Sequence, residues 1–505
     1  MVDLSSLAID PEVLKLIPKS TALKLSVLPL SLKNDTVIVA MPEMFRRQLV
    51  TDIQFLLGRK VKPVPVPQDI LVTAIHRFYE SDTLSSGQHL ESYPPSFSPI
   101  RQRELYLSGL ISDASTVTLT NRLISSAVRL GATDVHLEPF QQGFRVRYRI
   151  DGVLHEAFQL TIDRGISLIA RLKKIANLQI EETQRPQQGR LQARRDERTI
   201  PVRLTTTPTD VGERCVLRLL DPSHLQLDLA KLGFEDQDLI LLQQTLQSPS
   251  GLILVTGPDG SGKITTLYAA LTYLNRPDIS IMTIEDPVDF DLPDINQLNV
   301  RPEVGVTYPA ALRAVLLQDP NVILLGELQD HETADLAVRA ALSGHIVLST
   351  LHTADAVSAV ERLIDLGIEP FLIASSLKAV VAQRLVRRLC ERCKILVSPS
   401  RDQLHKLDDP GRAEQHFFGS KGCPACHYFG YSGRIGAFEV LLVEDELADL
   451  ISSGSTAATL REHAKKSGML SLRQAALNKA ERGETSLDEV LRETPHSTFE
   501  HSLKE

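Results

Sequence analysis

The stretch GLILVTGPDGSGKITTLYAALTYL, residues 251–274, decides the reading of this chain. It opens with an apolar run that fits a strand buried on both faces, and from Lys263 onward it reads as a helix. Between them lie Gly257, Pro258, Asp259, Gly260, Ser261, Gly262 and Lys263, which match Gly-x-x-x-x-Gly-Lys. Strand, glycine loop and helix in that order build a phosphate cradle. The glycines let backbone N–H groups turn inward, the helix N-terminus adds a favourable dipole, and the lysine reaches the β- and γ-phosphates. A chance glycine turn is the alternative, and the strand and helix on either side argue against it.

Two residues depart from the motif. A Ser or Thr should follow the lysine, because that hydroxyl ligates Mg²⁺. Here the position is Ile264, which offers no oxygen and adds bulk beside the metal. Thr265 comes next but lies about 100° further round a helix. Asp259 puts a carboxylate into a loop that binds anions. Both departures are expected to weaken Mg-ATP binding.

Working outward, SIMTIE, NVILLG and HIVLSTL are further apolar strands separated by helical stretches. Residues 223–385 therefore read as an α/β unit with a mostly parallel sheet and helices on both faces. Ligands of such sheets sit beyond the carboxyl ends of the strands. Glu285 and Asp286 end one strand and Glu327 ends another, placed to polarise a water or support a metal. His345 and His352 bracket the strand IVLSTL; each is as readily structural as catalytic.

Upstream, residues 108–222 read as a second α/β unit, with an amphipathic helix stopping at Gly131 and a hairpin turning at Asp151-Gly152. Residues 1–80 read as a small α/β domain, and the Ser- and Pro-rich stretch 81–107 as a flexible linker. Downstream, 386–436 carries the cysteine pairs and 437–505 a helical region.

The chain has 505 residues, net charge −8 and 43% hydrophobic residues, so it can bury several cores but lacks the basic surplus of a nucleic-acid binder. No apolar run is long enough to span a membrane, and the N-terminus lacks the layout of a secretory signal, which predicts a cytoplasmic protein. Of the five cysteines, Cys215 stands alone in an apolar run and reads as a buried small hydrophobe. Cys390, Cys393, Cys423 and Cys426 form two Cys-x-x-Cys pairs with 29 residues between them. Four thiolates so spaced suit a closed tetrahedral Zn²⁺ site; a redox dithiol or free thiols are the alternatives. His427 follows as a bystander.

Taken together, GPDGSGKITTLY, TIEDPVDF, LLQDPNVILLGELQD and GHIVLSTLHT resemble the Walker A, Asp box, Walker B and His box of the type II secretion and type IV pilus assembly ATPases. LGATDVHLEP, VRYRIDGVLHE, QRPQQGR, QRLVRRLC, GCPAC and YSGRIGAFEV resemble flanking segments of that family, so the resemblance runs from about residue 8 to about 492. It implies a RecA-like P-loop motor domain preceded by smaller α/β domains, with a tetracysteine zinc subdomain and a helical C-terminus. It also implies a homo-hexamer using ATP, Mg²⁺ and structural Zn²⁺. Glu327 matches the catalytic glutamate, and Arg190 and Arg203 match arginines that reach the phosphates. The first domain resembles a module that docks onto an inner-membrane partner, and the motor would act on an inner-membrane platform from a peripheral cytoplasmic position. No added N-terminal segment for cyclic di-GMP is recognised, so no binding of it is expected. Leu317 and Gln329 stand where the family usually has arginine, while Arg313 remains. With Ile264 these departures leave a second reading, a nucleotide-binding subunit impaired in hydrolysis. A helicase on a similar core is disfavoured by the acidic charge.

Overall fold

In the computed structural model the chain forms two compact units, residues 1–95 and 96–505. The structure describes residues 115–494 except 196–197, 223–224 and 408–415, together with parts of 11–75. The linker expected at 81–107 lies outside the described residues.

In the first unit, β1 (Leu28–Lys33) and β2 (Thr36–Pro42) pair antiparallel and close Lys33 onto Thr36. β3 (Lys60–Val66) adds parallel to β2. Val37, Val39 and Met41 are buried with Ile17, Leu28 and Ile53.

The second unit holds two larger sheets. The first is antiparallel, ordered β6-β5-β4-β9-β8-β7, from β4 (Ala132–Phe140), β5 (Gly143–Ile150), β6 (Val153–Leu160), β7 (Gln187–Arg195), β8 (Arg198–Thr209) and β9 (Gly212–Leu219). Period-two alternation decides which way each strand faces. In β5, Phe144, Val146, Tyr148 and Ile150 are buried in one cluster with Leu123 and Leu168 of the helices Thr116–Arg129 and Ile162–Ile175. Arg145, Arg147 and Arg149 take the alternate positions, where Arg145 and Arg147 reach Glu138 and Arg149 reaches Asp134. The hairpin turns at Asp151 and Gly152 with φ of 48° and 85°, as a two-residue turn with both central residues at positive φ requires. Cys215 is fully buried in the same core, and burial pushes its thiol pKa up.

The second sheet is ordered β12-β11-β13-β14-β10-β15-β18. Six of its strands run parallel: β10 (Gly251–Thr256), β11 (Ile281–Glu285), β12 (Asn296–Asn299), β13 (Val322–Leu325), β14 (Ile346–Leu351) and β15 (Leu377–Leu389). Every residue of β10, β13 and β14 is buried, which explains why they read as unbroken apolar runs. Leu252 and Leu254 pack on one face with Leu312 and Val338, while Ile253 and Val255 pack on the other with Leu267 and Leu271. Each such fully buried side chain contributes about 1.5–3 kcal/mol.

Two boundaries differ from the sequence reading. A short hairpin, β16 (Lys394–Val397) with β17 (Phe417–Ser420), and the cysteine pairs lie between β15 and β18 (Tyr431–Leu442). β15 and β18 pair antiparallel from Ala379↔Leu442 to Leu389↔Tyr431. The cuts expected at 385/386 and 436/437 therefore fall inside two paired strands, and β18 completes the motor sheet. Four helices follow, Asp445–Ser452, Ala457–Lys466, Leu472–Glu481 and Leu487–Glu493. Buried Lys479 ties them back by donating to the Gly233 carbonyl at 2.5 Å.

Candidate functional site

The parallel sheet brings the sequence motifs to one edge. The glycine loop leaves the carboxyl end of β10, Glu285 ends β11, Glu327 follows β13 and His352 follows β14. Together with Arg203 and Arg218 of the antiparallel sheet they line a cleft of about 380 Å³.

The loop has the conformation that phosphate binding needs. Gly257, Gly260 and Gly262 have φ of 151°, 76° and 90°, and Gly262 caps the helix Lys263–Leu274. Lys263 donates to the carbonyls of Gly257 and Pro258 at 2.9 and 3.2 Å, so its ammonium sits in the mouth of the loop. Burial holds its pKa below that of a free lysine, with Asp259 and Glu327 opposing. Asp259 departs from the expectation of a carboxylate inside the loop. Its side chain is 96% exposed, with Oδ1 3.6 Å from His352 Nδ1.

The carboxylates divide by partner. Glu285 is buried and takes hydrogen bonds from Tyr268 at 2.5 Å, Thr283 at 2.6 Å and Gln297 at 3.1 Å. Its oxygens are committed to the protein. Asp286 is exposed and lines the cleft. Glu327 is partly exposed; one oxygen lies 3.2 Å from His352 Nε2 and the other accepts from Gln329 at 2.9 Å. Gln329 thus supports the glutamate with a neutral amide. Arg313 pairs with Glu332 at 2.5 Å, and Leu317 is 84% exposed.

The two histidines part company. His352 stands between Glu327, Asp259 and Lys263, the last at 3.4 Å. His345 precedes β14 at its other end, about 20 Å away at the usual strand rise. There its Nδ1 lies 3.0 Å from the Ala340 carbonyl and 3.3 Å from Ser343 Oγ, which closes the helix His331–Leu342 onto the strand. It has no place in the cleft.

The arginines form a cross-strand ladder. Arg190 on β7 lies opposite Arg203 on β8, which lies opposite Arg218 on β9, which lies opposite Asp134 on β4. Arg203 lines the cleft and donates to Asp289 at 3.2 Å. Arg218, which the sequence reading missed, also lines it and is held by Asp134 at 2.9 Å. Arg190 lies beyond the cleft, lining a neighbouring cavity with Arg203 and Asp289. Tyr308 is a further missed lining residue, its phenol pKa raised by burial.

Ile264 and Thr265 both line the cleft, and Ile264 also packs against the buried cluster around Leu267. Thr265 also lines a second cavity, of about 800 Å³, with Ser261, Arg384 and Leu385.

Away from the cleft, Sγ atoms of Cys390 and Cys423 are 3.9 Å apart, and those of Cys426 lie 3.8 Å from both Cys393 and Cys423. All four lie within 4.8 Å of one another. A tetrahedron with Zn–S bonds of about 2.3 Å has edges of about 3.8 Å, whereas a disulfide needs about 2.05 Å. The donor set therefore fits Zn²⁺ and is not disulfide-bonded; the cluster contains no ring nitrogen, so His427 is outside it. His427 and Tyr428 follow with positive φ of 48° and 61°. They deliver Phe429, whose ring lies 4.6 Å from that of His155 on β6, while Gly433 N–H donates to Asp151 at 2.9 Å.

Residues 110–492 match the family model described as Type II/IV secretion system protein, and residues 1–84 match the MshEN domain. The chain is 39% identical over 511 residues to the type IV pilus assembly ATPase PilB of Myxococcus xanthus, covering 99% of this chain and 89% of that protein. It is 44% identical over 385 residues to the type II secretion system ATPase E of Vibrio cholerae, covering 76% of each. The Legionella pneumophila ATPase DotB has the same fold, with TM-score 0.56 at 18% identity over 75% of this chain and 96% of that one. The MshEN match corrects one expectation. It assigns residues 1–84 to a domain type that the sequence reading did not recognise.

Proposed function

This chain belongs to the Type II/IV secretion system protein family and is an ATP-hydrolysing secretion ATPase, and we propose that it powers assembly or extrusion of pilin-like filaments in type II secretion or type IV pilus biogenesis. The observation that carries the proposal is the single cleft in which the phosphate loop, Glu327, His352 and two arginines of the preceding sheet meet.

In this reading the N–H groups of residues 259–262 and Lys263 hold the β- and γ-phosphates of ATP. Arg203 and Arg218 neutralise charge that develops on the transferring phosphoryl group. Glu327 accepts a proton from, and orients, the attacking water, and His352 fixes the Glu327 carboxylate. Mg²⁺ would be held by the exposed Asp286 in the cleft, since Glu285 is committed and Ile264 supplies no oxygen. When bound, it neutralises the phosphate oxygens. Cys390, Cys393, Cys423 and Cys426 would hold Zn²⁺ in a closed site, which adds stability and no chemistry.

Arginines on one sheet and a phosphate loop on another give ATP a means to change the angle between them. A homo-hexamer of such subunits would pass that motion to an inner-membrane platform while peripheral to the membrane. No described helix is long and apolar enough to cross it. Residues 1–84 dock the motor to its membrane partner, and their domain match supports cyclic di-GMP as a ligand. The second reading, a subunit impaired in hydrolysis, is favoured chiefly by Ile264, with Leu317 and Gln329 in place of arginines.

The test is Mg²⁺-dependent ATP hydrolysis by the purified chain beside Glu327→Gln. Hydrolysis that this substitution abolishes supports the motor. Nucleotide binding without hydrolysis, with activity appearing when Thr replaces Ile264, points to the second reading.

A further inference from the structure

The loop that cradles phosphate must expose its N–H groups, so its carbonyls must be satisfied elsewhere. One of them is answered from a distant part of the chain. Gln383, on β15, is almost completely buried. Its Nε2 donates to the Ser261 carbonyl at 2.5 Å, and its Oε1 accepts from the Thr266 hydroxyl at 2.7 Å. The two contacts fix the amide: reversed, it would set its oxygen against the Ser261 carbonyl. The register explains the reach. β10 pairs with β15 up to Thr256↔Ala382, so Gln383 is the next residue, beside the point where the loop begins. The approach is close on both sides of the loop. A Cβ on Gly257 would lie 2.6 Å from the Gln383 carbonyl, and one on Gly262 2.9 Å from its Nε2.

In a planar trans peptide the C=O and N–H point in opposite directions. Holding the Ser261 carbonyl toward β15 therefore turns the Gly262 N–H away from β15, on the loop whose Gly262 lines the cleft. We propose that Gln383 is a positioning residue for nucleotide binding: it aims the Ser261–Gly262 peptide so that Gly262 N–H faces phosphate, and it locks the loop to the first turn of its helix through Thr266. This rests on the reading of the cleft as an ATP site and adds to it a residue from outside the four nucleotide-site motifs.

The interaction is made to bound phosphate in both ground and transition states, so its loss should raise KM more than it lowers kcat. Gln383→Met keeps the length and burial but removes both hydrogen bonds, and Thr266→Val removes only the helix contact. A fluorescent ATP analogue gives affinity, steady-state hydrolysis gives KM and kcat, and thermal melting reports folding. Expected for Gln383→Met is a tenfold or greater loss of affinity with a matching rise in KM, kcat within about threefold, and a much smaller effect for Thr266→Val. Gln383→Glu, which keeps the acceptor for Thr266 but loses the donor to Ser261, should resemble Gln383→Met; it serves as the measured variant if Gln383→Met does not fold. Unchanged affinity in a folded variant would overturn the positioning role while leaving the ATP site intact. A native chain that binds no nucleotide would overturn the ATP-site reading itself, and the role of Gln383 with it.

Discussion

Replacing Ile264 by Thr restores the hydroxyl that the phosphate loop lacks, and the structure sets what this should cost and return. Ile264 lines the cleft and packs, partly buried, against the cluster around Leu267 and Leu271. Thr removes about one carbon from that contact and exchanges another for oxygen. At about 0.8 kcal/mol per buried CH₂, and with the site only partly buried, the loss is about 0.5–1 kcal/mol. That lowers Tm by only a few degrees, about 2–4 °C per kcal/mol for a domain of this size. The gain is a fixed oxygen where the metal now finds none. Contacts of this charged kind are worth about 1.5–3 kcal/mol, or roughly ten- to a hundredfold in an equilibrium constant. The assay is ATP hydrolysis titrated with Mg²⁺, run on the native chain, Ile264→Thr and Ile264→Val. Valine removes a carbon and adds no oxygen, so it isolates the packing change. The half-saturating Mg²⁺ concentration should fall at least tenfold in Ile264→Thr alone. Equal Mg²⁺ dependence in the native chain and a folded Ile264→Thr would refute the argument that the missing hydroxyl weakens metal binding.

Other outcomes follow from the same geometry. Glu327→Gln should lower kcat by a hundredfold or more while leaving ATP affinity within a few-fold, measured by steady-state hydrolysis and equilibrium binding. Arg218→Ala should reduce kcat/KM by at least tenfold and Arg190→Ala by much less, because only the first lines the cleft; equal losses would contradict the ladder's order. Cys426→Ser should lower bound zinc, measured by atomic absorption, and should also raise amide exchange at residues 151–156. The strained turn at His427 and Tyr428 costs about 1–3 kcal/mol per residue and persists only while its surroundings hold it. Phe429→Ala should loosen the same 151–156 segment with zinc retained, since it removes the contact to His155 and leaves the sulfurs in place.

The sequence by itself determined whatever depends on local pattern. The apolar run of β10 followed by glycines and a helix reads as a phosphate loop rather than a chance glycine turn, because strand burial, positive φ and the helix dipole are written in adjacent residues. The turn at Asp151-Gly152 was equally legible, as was the spacing of the cysteines, whose tetrahedral grouping was left to the fold. Tertiary structure decided whatever depends on register and strand order. Arg218 and Arg203 are 15 positions apart in the chain and become neighbours through the pairing of β8 with β9. Arg190 shares that ladder but falls one strand beyond the cleft. His345 and His352 flank the same strand, yet only the carboxyl end of a parallel strand meets the ligand. The extent of the motor sheet was hidden too, because β18 is separated from β15 in sequence by the cysteine region and joins it only by hydrogen bonding. Gln383 opens the segment QRLVRRLC, but nothing in that segment tied it to the phosphate loop. Its amide matters because β15 lies beside β10, and that adjacency is a property of the folded sheet.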